Sequence, residues 1–283
     1  MLYLLYNPKA NNGNSEKDIE NFPKDFFSEE PTKINVLELE DYEGFLNTLK
    51  PEDIIVIAGG DGTLNHFIDA KKDITLTNEV YLYKLGTGND FLYDIKEQDN
   101  PMPVCITKYI QKLPRVYING KETAFINGIG FGIDGYCTEE GDRLRAKGVK
   151  KINYTSIAIK GLLFKFKRRN AKVWVDGAFM EYKNVLIASA MMGRFYGGGM
   201  MIAPAQNRLN EEHTLTFSVI HSGTRLGILA IFPKIFKGEH IKHKKVIYFQ
   251  PAHEITVEFD SPCPLQIDGE TVSNVTKYTA KFE

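Results

Sequence analysis

The stretch Ile54-Ile55-Val56-Ile57-Ala58-Gly59-Gly60-Asp61-Gly62-Thr63-Leu64-Asn65 constrains this chain more than any other. Four consecutive β-branched residues read as a fully buried strand. Gly59, Gly60 and Gly62 then remove Cβ atoms from the turn, so that backbone N–H groups can approach an anion closely. Leu64, Phe67 and Ile68 follow at helical spacing, with Thr63 placed to cap them. Strand, glycine turn and helix N-terminus together make a phosphate-binding geometry, because orphan amides and the helix dipole both favour negative charge. Asp61 is the odd residue in that turn. Its carboxylate repels a phosphate unless Mg²⁺ bridges the two or Asp61 orients a neighbouring group.

Composition limits the classes available. At 283 residues, 43% hydrophobic and 25% charged, the chain has the make-up of a globular protein with a sizeable core. A formal net charge of −1 supplies no basic field, so a nucleic-acid partner is not expected. Cys105, Cys137 and Cys263 lack metal-ligand spacing, which predicts a reducing compartment and free thiols in or near the core. The first residues lack the basic start of a signal peptide, and no apolar run of about 18 residues occurs. The expectation is a cytoplasmic protein, peripheral to membranes at most.

The first part alternates strands and helices. Leu2–Tyr6 reads as a strand ending in the turn Asn7-Pro8-Lys9, Ser15–Phe27 as a helix broken by Pro23, Ile34–Glu40 as a strand and Tyr42–Leu49 as a helix. Val80–Leu85 is another strand, ending in Gly86-Thr87-Gly88-Asn89-Asp90-Phe91. This alternation predicts a mostly parallel sheet, with ligand-binding loops at the strands' carboxyl ends. Past Pro114 strands dominate. Asn119-Gly120 marks one hairpin, Val173–Phe179 another, and Val246–Gln250, Glu254–Phe259 and Thr276–Phe282 are later strands. Between Arg143 and Lys172 there are eleven Lys and Arg residues and no acid, interleaved with an apolar stripe that predicts a helix. Such a basic face suits anionic lipid headgroups, each exposed Lys or Arg contributing about 1 kcal/mol near an anionic membrane.

Several of these stretches resemble one family. Gly59-Gly60-Asp61-Gly62-Thr63-Leu64-Asn65 is similar to the nucleotide loop of the diacylglycerol, sphingosine and related lipid kinases, whose Gly-Gly-Asp-Gly core also occurs in NAD kinases and phosphofructokinases. Thr87-Gly88-Asn89-Asp90-Phe91 resembles a second signature, one that separates lipid kinases from NAD kinases. Phe125-Ile126-Asn127-Gly128-Ile129-Gly130-Phe131-Gly132-Ile133-Asp134 resembles a stretch lining the family's interdomain cleft. Gly197-Gly198-Gly199-Met200-Met201-Ile202-Ala203-Pro204 resembles its Gly-Gly-Gly-Met-x-x-Ala-Pro signature, and Asp268-Gly269-Glu270 its catalytic turn. From Asn7 to Glu270 the blocks keep family order.

The resemblance implies an ATP- and Mg²⁺-dependent lipid kinase of two domains, an α/β nucleotide domain over 1–116 and a β-rich, sandwich-like lipid domain over 117–283, with a cleft between them. Its nucleotide residues map onto Asn7, Pro8, Lys9, Gly59, Gly60, Gly62, Thr63, Asn65, Gly86, Thr87, Gly88, Asn89 and Asp90. Asp61 and Asp90 would belong to the metal network, with Asp61 also in the catalytic set. Glu270 would be the general base and Asp268 its nearest rival, since residues two apart in an extended segment share a face. Tyr196, Met200 and Met201 would line an acyl channel or pack in the core. Where the family carries an Asp-Gly pair feeding a structural Mg²⁺, this chain has Ala205–Leu215, leaving Asn210 and Glu212 as oxygen donors. The implied acceptor is a lipid at a membrane surface reached through Arg143–Lys172, most simply diacylglycerol giving phosphatidic acid; a homodimer is also allowed. Two alternatives stand beside it: an NAD-kinase-like enzyme with a soluble substrate, and a nucleotide- or lipid-binding regulator without turnover.

Overall fold

The computed structural model describes residues 1–85, 89–149 and 152–282. The chain divides into two compact units, Met1–Leu113 and Pro114–Glu283. The division precedes the predicted 116/117 boundary because strand β6, Arg115–Ile118 in the chain order used below, pairs within the second unit.

Among the described residues, unit 1 carries a five-stranded sheet of β1 (Leu2–Tyr6), β2 (Thr32–Asn35), β3 (Ile54–Gly59), β4 (Glu79–Lys84) and β5 (Val104–Cys105). Their order is β2-β1-β3-β4-β5, with the first four parallel and β5 antiparallel to β4. The buried strand predicted at Ile54 is therefore central: Ile55, Val56, Ile57 and Ala58 are fully buried. Around the sheet lie α1 (Ala10–Gly13), α2 (Ser15–Asp18), α3 (Tyr42–Asn47), α4 (Asp61–Lys71), α5 (Asp90–Asp94) and α6 (Thr107–Ile110). The helix expected over Ser15–Phe27 is a series of short turns. The strand expected over Ile34–Glu40 stops at Asn35, whose Oδ1 accepts from the Leu37 N–H at 3.0 Å and bends the chain away.

Unit 2 is an antiparallel β-sandwich. Its strands are β6 (Arg115–Ile118), β7 (Lys121–Ala124), β8 (Gly128–Gly132), β9 (Arg169–Val175), β10 (Ala178–Val185), β11 (Ile187–Met191), β12 (Phe195–Tyr196), β13 (Met200–Met201), β14 (Leu215–Ile220), β15 (Ile247–Ala252), β16 (Glu254–Ile267) and β17 (Glu270–Lys281). The helices are α7 (Ile133–Ala146), α8 (Tyr154–Lys160) and α9 (Arg225–Ile235). The long strand β16 organises the layers. Its first part, Ile255–Phe259, pairs β9, and its last residues, Leu265–Ile267, pair β8, with β17 on its other edge. Phe131 of β8 stacks on Phe259 at 4.0 Å between centroids and meets Tyr278 edge-on, tying the two ends of β16 to one core. Three hairpins turn at Asn119-Gly120, Asp176-Gly177 and Asp268-Gly269, with positive φ at both residues of each pair, as the type I′ preference requires.

The basic run is not one amphipathic helix. It covers the end of α7, then α8, a π-helical turn over Gly161–Lys165 and the start of β9, with Lys150 and Lys151 outside the described residues. Cys137 and Cys263 are buried and Cys105 exposed, all as free thiols. Burial pushes the Cys263 thiol up to about 11. Among the described residues no helix is long and apolar enough to cross a membrane.

His240 is fully buried, its Nε2 3.1 Å from the Ile202 carbonyl and its ring 5.5 Å from Phe249. Burial, and secondarily the neighbouring His243, lower its pKa from 6.5 against the opposing effect of the Ile202 bond. The unfolded chain then binds this proton more strongly than the folded one, so its contribution to stability is complete above about 6.5 and is lost as pH falls through the lower folded value. Unfolding temperatures measured between about pH 7.5 and 5.5 should fall with pH, and more shallowly in His240→Gln. An identical slope in the variant would assign the effect elsewhere.

Candidate functional site

In unit 1 the functional residues collect at the carboxyl edge of the sheet. The register pairs Tyr6 with Ala58 and Gly59 with Lys84, so the loops leaving β1, β3 and β4 lie side by side. From β1 the chain proceeds to one flank and from β3 to the other, making this edge the topological switch point where ligands of open α/β sheets bind. The helix after the glycine turn starts earlier than predicted, at Asp61, with Gly60 rather than Thr63 as its N-cap. Thr63 is buried against Gly59, where a Cβ would collide with its side chain. The first amides of α4 therefore emerge at the sheet edge, suited to a phosphate. Asn65 is buried one turn further along the same helix.

Asp61 performs a task the sequence only hinted at. Its carboxylate accepts the Asp90 N–H at 2.9 Å and the Phe91 N–H at 3.4 Å, capping α5 and fixing the third loop to the glycine turn. Next to it, Asn89 is 3% exposed, and neither polar atom of its amide has a partner among the described residues. A buried amide in that state is what a ligand would complete. Asn7 shapes the first loop: its Oδ1 accepts from the Lys9 N–H at 2.9 Å and its carbonyl from Ser15 Oγ at 2.6 Å, while Pro8 continues the turn and Lys9 is exposed. Gly86, Thr87 and Gly88 lie outside the described residues.

In unit 2 the two acids of the predicted catalytic turn separate. Asp268 has φ of 48°, so the alternation expected of an extended segment does not hold there. Its buried carboxylate accepts the N–H groups of Ile126, Asn127 and Gly128 at 2.7, 2.8 and 2.9 Å. These bonds replace the carboxylate's hydration and give Asp268 a structural role at the tip of the hairpin. Glu270 is exposed and has no side-chain partner among the described residues.

Two of the predicted metal donors, Asn210 and Glu212, lie in the turn after Pro204. Asn210 pins its own turn, accepting from the Thr214 N–H at 2.8 Å and donating to the Asn207 and Thr214 carbonyls. Glu212 is exposed, and among the described residues no group of three or more His, Cys, Asp or Glu could hold a metal. The cation here is one sequence reasoning missed. Arg208, 6% exposed, donates to the Ile126 carbonyl at 2.9 Å and to Asn127 Oδ1 at 3.1 Å. Its only sequence signal was a lone Arg in the segment that replaces the Asp-Gly pair.

Unit 2 also holds an apolar pocket of about 540 Å³, its open mouth included, between the sheet and helices α7, α8 and α9. Ala158, Ile159, Leu162, Ile228 and Phe232 form one side and Ile187, Met200 and Ile202 another. Asp134 and Tyr196 supply its polar atoms. Gly130 is required opposite Asp134, because a Cβ there would fall on the carboxylate. The Tyr196 hydroxyl is buried without a partner among the described residues; burial, then the charge of Asp134, hold it well above the usual phenol range. The Gly197–Gly199 run is the hairpin turn between Tyr196 and Met200, all three glycines at positive φ.

Comparison with known proteins places the chain. The diacylglycerol kinase catalytic domain matches residues 1–117, and the YegS C-terminal NAD kinase beta sandwich-like domain matches 127–280. The chain belongs to the diacylglycerol kinase family of lipid kinases. It is 25% identical over 240 residues to a diacylglycerol kinase of Mycobacterium tuberculosis, covering 79% of this chain and 75% of that one. A diacylglycerol kinase of Staphylococcus carnosus is 24% identical over 236 residues, covering 82% and 71%. Among solved structures, a diacylglycerol kinase from Bacillus anthracis aligns with a TM-score of 0.66 at 19% identity over 99% of this chain and 93% of that one. The yeast NADH kinase complexed with NADH shares the fold more distantly, at TM-score 0.55 and 12% identity, covering 100% and 78%.

The two acids of the turn should behave oppositely in unfolding experiments. Asp268→Asn replaces one acceptor oxygen by an NH₂ aimed at amide donors and should lower the free energy of unfolding in urea by about 3 kcal/mol. Glu270→Gln, at an exposed position, should stay within about 0.5 kcal/mol of the parent. Equal stability of the two variants would remove Asp268 from its structural role.

Proposed function

We propose that this protein transfers the γ-phosphate of ATP to the hydroxyl of a lipid, with diacylglycerol as acceptor and phosphatidic acid as product. The pocket in unit 2 is the observation that carries the lipid part. Its walls are apolar apart from Asp134, the Cys137 thiol and the Tyr196 hydroxyl, a lining that suits an acyl chain and offers almost nothing to a nicotinamide dinucleotide. Family membership supports the kinase part.

In this reading the amides opening α4 hold the phosphates, with Asn7 and Asn89 beside them. Asp61 keeps the loop carrying Asp90 against the glycine turn, so that the phosphate cradle is formed before the nucleotide arrives. Asp61 and Asp90, on the two loops that Asp61 ties together, are the carboxylates that would hold a nucleotide-bound Mg²⁺. It would neutralise charge on the transferring phosphoryl group. Glu270, without a competing partner, takes the proton of the acceptor hydroxyl as the new O–P bond forms and the bond to ADP breaks. The Tyr196 hydroxyl donates to an oxygen of the lipid and orients it.

Labelled ATP offered with a panel of diacylglycerol, monoacylglycerol, ceramide, an isoprenoid alcohol and NAD should label diacylglycerol. Label in NAD alone would move the protein to the soluble-substrate class, and ATP binding with no labelled product would make it a regulator. Glu270→Gln should lower kcat by roughly 10²–10⁴-fold with ATP affinity unchanged. Ala158→Phe, which fills the pocket, should reduce kcat/KM for long-chain diacylglycerol roughly tenfold and spare the KM for ATP. If long- and short-chain substrates lose activity equally in Ala158→Phe, the pocket is not the acyl site.

A further inference from the structure

Between Arg225 and Lys234, helix α9 is apolar on every side. Ile228, Ile231 and Ile235 are buried, yet Leu226 on the opposite side is 73% exposed, and Ala230 and Pro233 are exposed along the same outer face. On the neighbouring segment the π-helical turn holds Phe164 out at 79% exposure. A hydrogen-bonded seam joins the two: the Arg225 guanidinium donates to the Leu162 carbonyl and, at 3.0 Å, to the Phe166 carbonyl, while Arg168 donates to Gly223 O. These contacts fix Phe164 and Leu226 on adjoining turns, so their exposure belongs to a tethered surface.

The segments that form this surface carry charge of one sign, with Glu140 of α7 within electrostatic reach of Lys165. No Asp or Glu occurs from Arg143 to Val175 or from His213 to Gly238. The structure also sorts the cations of the basic run. Arg143 and Arg145 pair with Glu140 and Asp142, and Arg169 donates to the carbonyls of Lys167, Ser261 and Pro262. Lys160, Lys165 and Lys167 remain exposed and form no ion pair among the described residues, Glu140, already paired with Arg143, acting on Lys165 only at longer range. Bare lysines bracketing two protruding apolar side chains match a surface that is negative outside and apolar within.

The inner faces of these segments are the wall of the apolar pocket, through Ala158, Ile159 and Leu162 on one side and Ile228 and Phe232 on the other. We propose that the Phe164 turn and the outer face of α9 dock on an anionic lipid bilayer, and that the acyl chain passes from the bilayer between α8 and α9 into the pocket. The docking surface stands on its own observations; the passage rests on the lipid-kinase reading above. Phe164 and Leu226 enter the acyl boundary, Lys160, Lys165 and Lys167 meet the headgroup phosphates, and the lipid need not leave the apolar phase to reach unit 2.

The test is sedimentation of the full chain with vesicles of phosphatidylcholine alone or mixed equally with phosphatidylglycerol. Two variants are compared, Phe164→Glu/Leu226→Glu and Lys160→Glu/Lys165→Glu/Lys167→Glu, each with its unfolding temperature measured. The parent should prefer phosphatidylglycerol vesicles and lose binding as salt is raised. Each variant should bind them at least tenfold more weakly while phosphorylating a short-chain, water-soluble diacylglycerol at the parent's rate. Parent-like vesicle binding in both variants overturns the proposal. So does a parent that ignores vesicles and forms a dimer which Phe164→Glu/Leu226→Glu dissociates, since the face would then join copies of the chain. A parent that binds vesicles through these residues but phosphorylates no lipid would retain the docking surface and defeat the kinase reading.

Discussion

Much of unit 2 hangs on one buried carboxylate. Asp268 lies at the tip of the β16–β17 hairpin and collects the three amides of Ile126, Asn127 and Gly128, which lead directly into β8. An ionised carboxylate removed from water is tolerated only when such donors replace its hydration. The clamp therefore ties the hairpin tip to the start of β8. β8 in turn pairs both β11 and β16, and where it ends α7 begins with Asp134 in its first turn. Gly130 keeps that carboxylate's space open, and the pocket wall follows from it. Loss of the clamp would reach the binding surface without touching any residue that lines it.

Unit 1 uses the same device at smaller scale. Asp61 accepts two amides at the start of α5 and so fixes one ligand loop to another. The five residues of α5 are too few to be stable alone, and its opening needs an external acceptor. A carboxylate at the mouth of a phosphate site looks wrong if read as a ligand contact. It makes sense as a cap, because its oxygens point at peptide donors and the turn's own amides stay available for the anion.

The α/β alternation, the buried strand at Ile54, the I′ hairpins and the order of the site blocks were legible because each is local: a period of two, a β-branched run, an Asn-Gly or Asp-Gly pair. The missed features are not local. Nothing near Asp268 says that its donors lie about 140 positions earlier, and as a lone Asp-Gly-Glu it reads equally well as chemistry. The basic run read as one helix because its charges and apolar residues are well spaced for one. Tertiary pairing instead drew Arg169–Val175 into a strand against β16 and anchored Arg168 and Arg169 on carbonyls. Phe164 belongs to the apolar residues interleaved in that run, and period alone cannot show that a π-helical register shift rotates it outward.

The segment after Pro204 is held in place by fixed charge. A bound divalent ion draws oxygen donors together by positive charge. Here those donors are absent, and Asn210 is occupied with its own turn. Arg208 brings positive charge covalently, its planar guanidinium reaching the Ile126 carbonyl and the Asn127 side chain on the same segment whose amides Asp268 holds. Fixed charges of opposite sign thus grip both polar groups of one peptide run, the carbonyl side by a cation and the amide side by an anion. A guanidinium is part of the chain and, unlike an ion, cannot leave its site. This segment is thus held by side chains of the folded chain itself.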